Sequence, residues 1–385
     1  MVTKPLVEVA LLFSKLGLIS FGGPAAHIAL METETVTKRG WLTREYFLDL
    51  LATTNLVPGP NATEMASHIG FVHAGWPGLF VGGVSFTLPA TLITLGIAWA
   101  YVRYGALPQG QALFYGINPV IIAIVLAAVY RLGRSAIKTV PLGGLALASL
   151  AATLLLPVDP AFILLGAGAM GVLLELGPKV KWPSPPPQAG PGSVALWLLV
   201  MNGGALASLA STQLVQLGLF FLKVGALLFG SGMVLFAFIQ RDVVTGYGWL
   251  SQKQLVDAIA VGQMTPGPVL SSATFIGYLV AGLPGAIVST VAIFAPAFAI
   301  MAAVGPGIPR LRRIPVVQAF LKGVNAAVVA AILSIVIVLA RSALLDVWTV
   351  AIAVLALLLL LRYGAETWQL VLGGAAIGLL HYLLV

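Results

Sequence analysis

The chain has 385 residues, 59% hydrophobic and only 8% charged, with a formal net charge of +8 and a mean hydropathy of +1.04. An ordinary soluble domain carries roughly 25% charged residues, so this composition reads as an integral membrane protein. The lack of cysteine excludes disulfides, thiol catalysis and iron–sulfur centres, and four scattered histidines argue against a metal site.

The basic residues lie between apolar stretches, as the Lys/Arg excess of cytoplasmic loops does. Attraction of an anionic substrate to the pore mouths is the other reading of the charge. Nothing resembles a nucleic-acid module, and the start, MVTKPLVEVA, is expected to carry no removable signal. A first predicted span runs from Pro5 to about Met31 and is interrupted at Phe21-Gly22-Gly23-Pro24. A polar helix pair follows around Pro58-Gly59-Pro60, loaded with Arg44, Glu45, Asp49, Asn55, Glu64 and His68. Three apolar spans then end near Arg103, Arg131 and Leu156, and a last one near Leu176. Residues 177–210 form a Pro/Gly-rich linker and an apolar connector.

From 211 onward the chain says nearly the same thing again. Phe13-x-Lys15-x-Gly17-x-x-x-Phe21-Gly22 returns as Phe221-x-Lys223-x-Gly225-x-x-x-Phe229-Gly230, a shift of 208. Gly40-Trp41-Leu42 and Pro58-Gly59-Pro60 return at Gly248-Trp249-Leu250 and Pro266-Gly267-Pro268. One residue is then lost, and at a shift of 207 Pro89-Ala90 pairs with Pro296-Ala297 and Asn118 with Asn325. A duplicated, apolar, Gly/Pro-punctuated chain is how many secondary transporters are built, with substrate held between the halves. Residues 1–176 and 211–385 are the expected membrane repeats. Arg131, Arg134 and Lys138 sit in one loop and Arg310, Arg312 and Arg313 in a non-equivalent one, so positive-inside reasoning predicts inverted repeats. The predicted fold is all-α, with ten transmembrane helices and two re-entrant Pro-Gly-Pro hairpins. Thirteen spans, as six, one and six, is the alternative.

The Pro-Gly-Pro breaks are where chemistry is expected. Proline ends one helix, glycine permits a reversal, and the second proline suits the start of a new helix. Helix N-termini would then begin at Asn61 and Val269 with free amides and a positive dipole end, an anion site at membrane depth. A structural kink satisfied by neighbours is the plainer reading. Substrate contacts are expected from Pro58, Gly59, Pro60, Asn61, Pro266, Gly267, Pro268 and Val269. The second pair of breaks adds Gly22, Gly23, Gly230 and Ser231, unless they serve only close packing. Lys15 and Lys223, matched and within apolar stretches, are expected as cationic contacts for a dianion, with snorkelling as the competing reading. Asn55, Gln263, Asn118 and Asn325 are expected to orient the ligand or to bond between helices. Glu64, whose repeat partner is Ser272, is the leading carboxylate for proton coupling, and His27, opposite Leu235, the weaker candidate. No catalytic residue, cofactor or metal ligand is expected.

The duplicated series F-x-K-x-G-x-x-x-F-G, GWL, PGP, P-G and Pro-Ala resembles the chromate ion transporter (CHR) family in its long, two-domain form. The likeness is fuller in the second half, while the first departs from it with Asn55-Leu56-Val57 before its PGP and Glu64 after. The resemblance implies a multi-pass protein of the cell's inner (plasma) membrane that moves chromate outward and confers chromate resistance. It implies no enzyme activity. Sulfate or another oxyanion is the alternative cargo, since shape and charge do not separate it from chromate. A membrane enzyme on lipid phosphates is the rival class, and a homodimer is left open.

Overall fold

A computed structural model describes residues 3–21, 23–54, 59–177, 212–229, 231–304 and 314–384. The expected readings of Gly22, Asn55, Pro58, Gly230, Arg310, Arg312 and Arg313 lie outside the described residues, as does the linker from 178 onward. Among the described residues the chain is all-helical. The first half holds α1 (Thr3–Ile19), α2 (Pro24–Glu32), α3 (Arg44–Thr54), α4 (Asn61–Tyr104), α5 (Pro108–Ala136), α6 (Val140–Leu155) and α7 (Pro160–Leu176). The second holds α8 (Gln213–Leu227), α9 (Leu235–Phe238), α10 (Gln252–Met264), α11 (Ser272–Val304), α12 (Pro315–Ala343), α13 (Val347–Leu358) and α14 (Thr367–Leu384). Five stretches, Asn61–Tyr104, Pro108–Ala136, Val269–Ala303, Pro315–Ala343 and Thr367–Leu384, are long and apolar enough to cross a membrane. Shorter apolar helices accompany them.

Local chemistry sets the boundaries. Proline opens α5, α7 and α12, where its missing N–H costs nothing. Asp159 caps α7 by accepting from the Ala161 amide, and Ser251 and Asp346 each begin a capping box. Asp346 also accepts from the Tyr115 hydroxyl at 2.7 Å. The Thr349 amide and then Tyr115 hold its carboxyl below the ordinary aspartate range.

Each half contains one long helix that folds back on itself. α4 breaks at Ala74–Gly75 and α11 at Ala281–Gly282, with glycine φ of +67° and +61° that an L side chain adopts poorly. In α4 the carbonyl of Gly78 lies against Gly70 and that of Ala66 against Gly82, so the two legs run antiparallel at glycine spacing. Gly277 meets the Gly285 carbonyl in the same way.

The stretch read as one first span is likewise two helices. Lys15 near the end of α1 bonds Glu34 beyond α2 at 2.9 Å, and Lys223 bonds Asp242 at 3.0 Å. Nineteen residues along a straight helix would separate such groups by about 28 Å. The chain therefore reverses between α1 and α2, and again between α8 and α9.

The halves interlock symmetrically. α4 packs on α11 and α5 on α12, while α5 also meets α13 and α14 as α12 meets α6 and α7. Gly116 sits against the Gly374 carbonyl, and Gly323 against the Ala167 carbonyl, equivalent positions in the two copies. A buried polar lock joins the halves as well: Asp257 accepts from Tyr101 at 2.7 Å and from Asn118 at 2.9 Å.

Candidate functional site

The Pro-Gly-Pro tip of each half meets the first-helix break of the other. The Gly59 amide donates to the Leu228 carbonyl at 2.7 Å, and the Gly267 amide to the Ser20 carbonyl at 2.9 Å. Each tip therefore closes the break of the other half, and the pairs are equivalent under the 208-residue shift. Both glycines have positive φ, +154° and +88°. A Cβ on Gly59 would collide with the Glu64 carboxyl, and one on Gly267 would stand 2.8 Å from the Ala90 methyl. Gly267→Ala is thus expected to destabilise the tip by about 1–3 kcal/mol and to lower transport while the protein still inserts. Thermal unfolding and uptake measured on one preparation check this.

Around these tips lies a cavity of about 330 Å³, enough for a small anion with several waters at about 30 Å³ each. Ser20, Gly23, Pro24 and His27 line it from the first break, and Ser231, Gly232 and Met233 from the second. The tips contribute Gly59, Pro60, Asn61 and Ala62 on one side, and Gln263, Thr265, Gly267, Pro268 and Val269 on the other. The Gly59 and Gly267 amides are spent across the halves, and the prolines have none. The donors left to a ligand are the first helical amides, such as those of Ala62, Val269 and Leu270, which by position have no helical carbonyl. Gln263 also lines the cavity, its Nε2 buried and without a partner among the described residues.

A sequence profile described as "Chromate transporter" matches residues 7–172 and 215–379. The chain belongs to the chromate transporter family. It is 36% identical over 382 residues to the chromate transport protein of Cupriavidus metallidurans, covering 99% of this chain and 94% of that one. To a probable chromate transport protein of Synechococcus elongatus it is 35% identical over 347 residues, covering 90% and 87%. To the chromate transport protein of Pseudomonas aeruginosa it is 31% identical, covering 82% and 77%. No solved structure matches the chain. Family membership and the apolar helices together make this a multi-pass membrane protein.

The residues expected at the site divide into three groups. Gly23, Ser231, Gly59, Pro60, Asn61, Gly267, Pro268, Val269, Gln263 and His27 line the cavity. Asn118 is committed to Asp257, and neither it nor the half-buried Asn325 lines the cavity, nor does the buried Pro266. The lysines are engaged elsewhere. Lys15 bonds Glu34, which Lys38 and Arg39 also neutralise. Lys223, 5% exposed, lies between Asp159 at 2.6 Å and Asp242 at 3.0 Å. Two matched acids, Glu34 and Asp242, thus absorb the two matched lysines, and the shift of 208 between those acids was readable beforehand. Glu64 is 1% exposed, with no partner for either oxygen among the described residues, and stands just outside the cavity wall beside Gly59.

Arg131 is the cation that sequence reasoning assigned to a loop. It lies on the last turns of α5 and lines the cavity, carrying the only fixed charge among the described lining residues. Its Nη2 donates to the Leu360 carbonyl at 3.3 Å, and no carboxylate pairs with it among the described residues. Its repeat counterpart is Val338. That asymmetry is visible in the sequence, where the charge bias of inverted repeats accounts for it equally well, so it does not single out a lining residue. Among the described residues no cluster of His, Asp and Glu suits a metal ion.

Proposed function

We propose that the chain is a secondary transporter of a tetrahedral oxyanion, with chromate as its substrate and the inner membrane as its place. The anion is held between the halves, in the cavity ringed by both breaks and both Pro-Gly-Pro tips. The carrying observation is that this cavity combines unspent helix-start amides with Arg131, a guanidinium without a carboxylate partner among the described residues. Such a fork suits an oxyanion, whose charge needs both compensation and several convergent donors. The relatives named above are two chromate transport proteins and a probable one, which supports the choice of cargo. Outward movement is inherited from the family.

In this reading the halves are inverted, and three contacts support it. Tyr115, near the start of α5, bonds Asp346 in the loop after α12. The equivalent loop after α5 is at the opposite end of that helix. Lys322, near the start of α12, bonds Glu175 at the end of α7, and Arg131, near the end of α5, reaches Leu360 beyond α13. Re-entry of the Pro-Gly-Pro pair is supported by Trp41, just before α3, stacking on His73 at the end of the first leg of α4 (centroids 3.7 Å apart). Each half then has two hairpins that enter and return, followed by four crossings.

The deciding experiment is flux into proteoliposomes under separately imposed voltage and pH gradients, with chromate, sulfate and molybdate compared. Chromate movement no faster than in protein-free vesicles would end this reading. We assign proton coupling to Glu64, the enclosed carboxyl beside Gly59. Glu64→Gln is expected to flatten the dependence of chromate flux on the pH gradient, and an unaltered profile removes Glu64 from the coupling.

A further inference from the structure

The two Pro-Gly-Pro tips are placed alike, but the helices beside them are not. α10 packs on α5, α11, α12 and α14, and α9 packs on α12. The equivalent contacts of the first half are α3 on α12, α4, α5 and α7, and α2 on α5. Of these only the α3–α4 contact is substantial among the described residues. Burial follows the same division. On α10, Val256 is 1% exposed and Asp257 is fully buried. At the shift of 208, Leu48 on α3 is 49% exposed and Asp49 is exposed as well.

The surface left uncovered is the cavity wall. Ile124, Ala127, Ala128, Arg131 and Leu132 line the cavity from α5. At the shift of 207 their counterparts on α12 are Ala331, Ser334, Ile335, Val338 and Leu339. None of these lines it, and all but Val338 are at most 4% exposed. Opening and seal lie apart along α5. Arg131 is exposed near the end of that helix. The seal is Asp257, which accepts from Tyr101 and from Asn118. Asn118 precedes Arg131 by 13 residues (131 − 118), about 20 Å of helix at about 1.5 Å per residue.

We propose that α2 with α3, and α9 with α10, are the two gates of an alternating-access cycle, and that the structure holds the second pair shut and the first open. The open side carries the Arg131–Lys138 loop, cytoplasmic by the positive-inside reading. The other state exchanges the arrangements of the two halves. α3 then closes on α12 and α5, Leu48 and Asp49 become buried, and Asp49 faces Asn325 as Asp257 now faces Asn118. Asp257 lets go, and Arg131 is covered from the cytoplasm. Movement of one repeat against the other about a fixed site exposes that site to each side in turn. The two seals differ in strength, because the counterpart of Tyr101 is Ile308, whose side chain donates nothing. One additional hydrogen bond to a carboxyl favours the form seen here by about tenfold. The gates rest on the same cavity as the transport reading and not on its cargo.

The chain has no cysteine, so Ala128→Cys and Ile335→Cys, at equivalent positions, each give the full chain a single thiol. Each is labelled in nanodiscs with a membrane-impermeant maleimide. The thiol at 128 is expected to react readily and the one at 335 slowly. Adding Tyr101→Phe should speed labelling at 335 about tenfold, as the shut pair opens more often, without speeding it at 128. Adding Asn325→Ala as well should weaken the opposite seal and bring the rate at 335 back toward its first value, which a merely structural role of Tyr101 would not do. Equal acceleration at both positions marks general loosening and overturns the gates. So does an unchanged rate at 335, or one that Asn325→Ala leaves high. Reciprocal labelling in a chain that moves no chromate would instead sink the choice of cargo and keep the gates.

Discussion

Replacing Arg131 with valine is expected to weaken chromate binding by about a hundredfold, or about 2.7 kcal/mol, without lowering the unfolding temperature. Arg131 is exposed in the structure, and the magnitude is that of truncating one member of a hydrogen-bonded charge pair that the bound anion completes and buries. The substitution is gentle to the fold, because the second half already carries Val338 at the equivalent position. On the protein side Arg131 gives up only one hydrogen bond, to the Leu360 carbonyl, and leaves no carboxylate behind. Arg131→Lys keeps the charge and loses the planar fork, so it should recover part of the affinity and bind about tenfold more weakly than the parent. Binding and uptake measured beside a melting curve separate the site from the scaffold. Normal chromate uptake by Arg131→Val would move the anion away from this cavity.

Much of the fold was legible because duplication doubles every weak signal. One Pro-Gly-Pro or one Phe-x-Lys-x-Gly is ambiguous, but two in register mark the elements that must meet. The structure brings those elements together through reciprocal Gly59–Leu228 and Gly267–Ser20 bonds. The fold-back at Ala74–Gly75 was missed, since Asn61 to Tyr104 reads as continuous apolar helix and the turn rests on one glycine at positive φ. The reversal of the first span was missed for a related reason. Its proof is the contact of Lys15 with Glu34, and a sequence shows spacing without direction.

The site divided along the same line. Backbone features, such as breaks and helix starts, follow from Pro and Gly chemistry and were found. Charged side chains were assigned by where hydropathy put them, and that rule fails when a long side chain reaches across a helix end. Arg131 was read as a loop charge and lines the cavity, while the lysines were read as ligands and are held by acids whose own repeat pairing went unused.

Lys223→Met is expected to destabilise the protein by about 3–5 kcal/mol, whereas Lys15→Met should cost only about 0–1 kcal/mol. The two lysines are equivalent in sequence and unequal in surroundings. Lys223 is 5% exposed and holds two carboxylates apart, Asp159 and Asp242. Removing it leaves both acids in a poorly hydrated place, with Arg241 the one other cation paired with Asp159 among the described residues, at 3.4 Å. Lys15 has a side chain 53% exposed, and its partner Glu34 keeps Lys38 at 3.0 Å and Arg39 at 3.6 Å. The cost at Lys223 should therefore be relieved by neutralising its partners. Adding Asp159→Asn and Asp242→Asn to Lys223→Met is expected to recover most of the lost stability, and asparagine at 159 still caps α7. Transport should return with stability, because in this account the ammonium never touches the anion. A Lys223→Met protein as stable as the parent yet unable to move chromate would show the opposite, and would return the lysine to the substrate path.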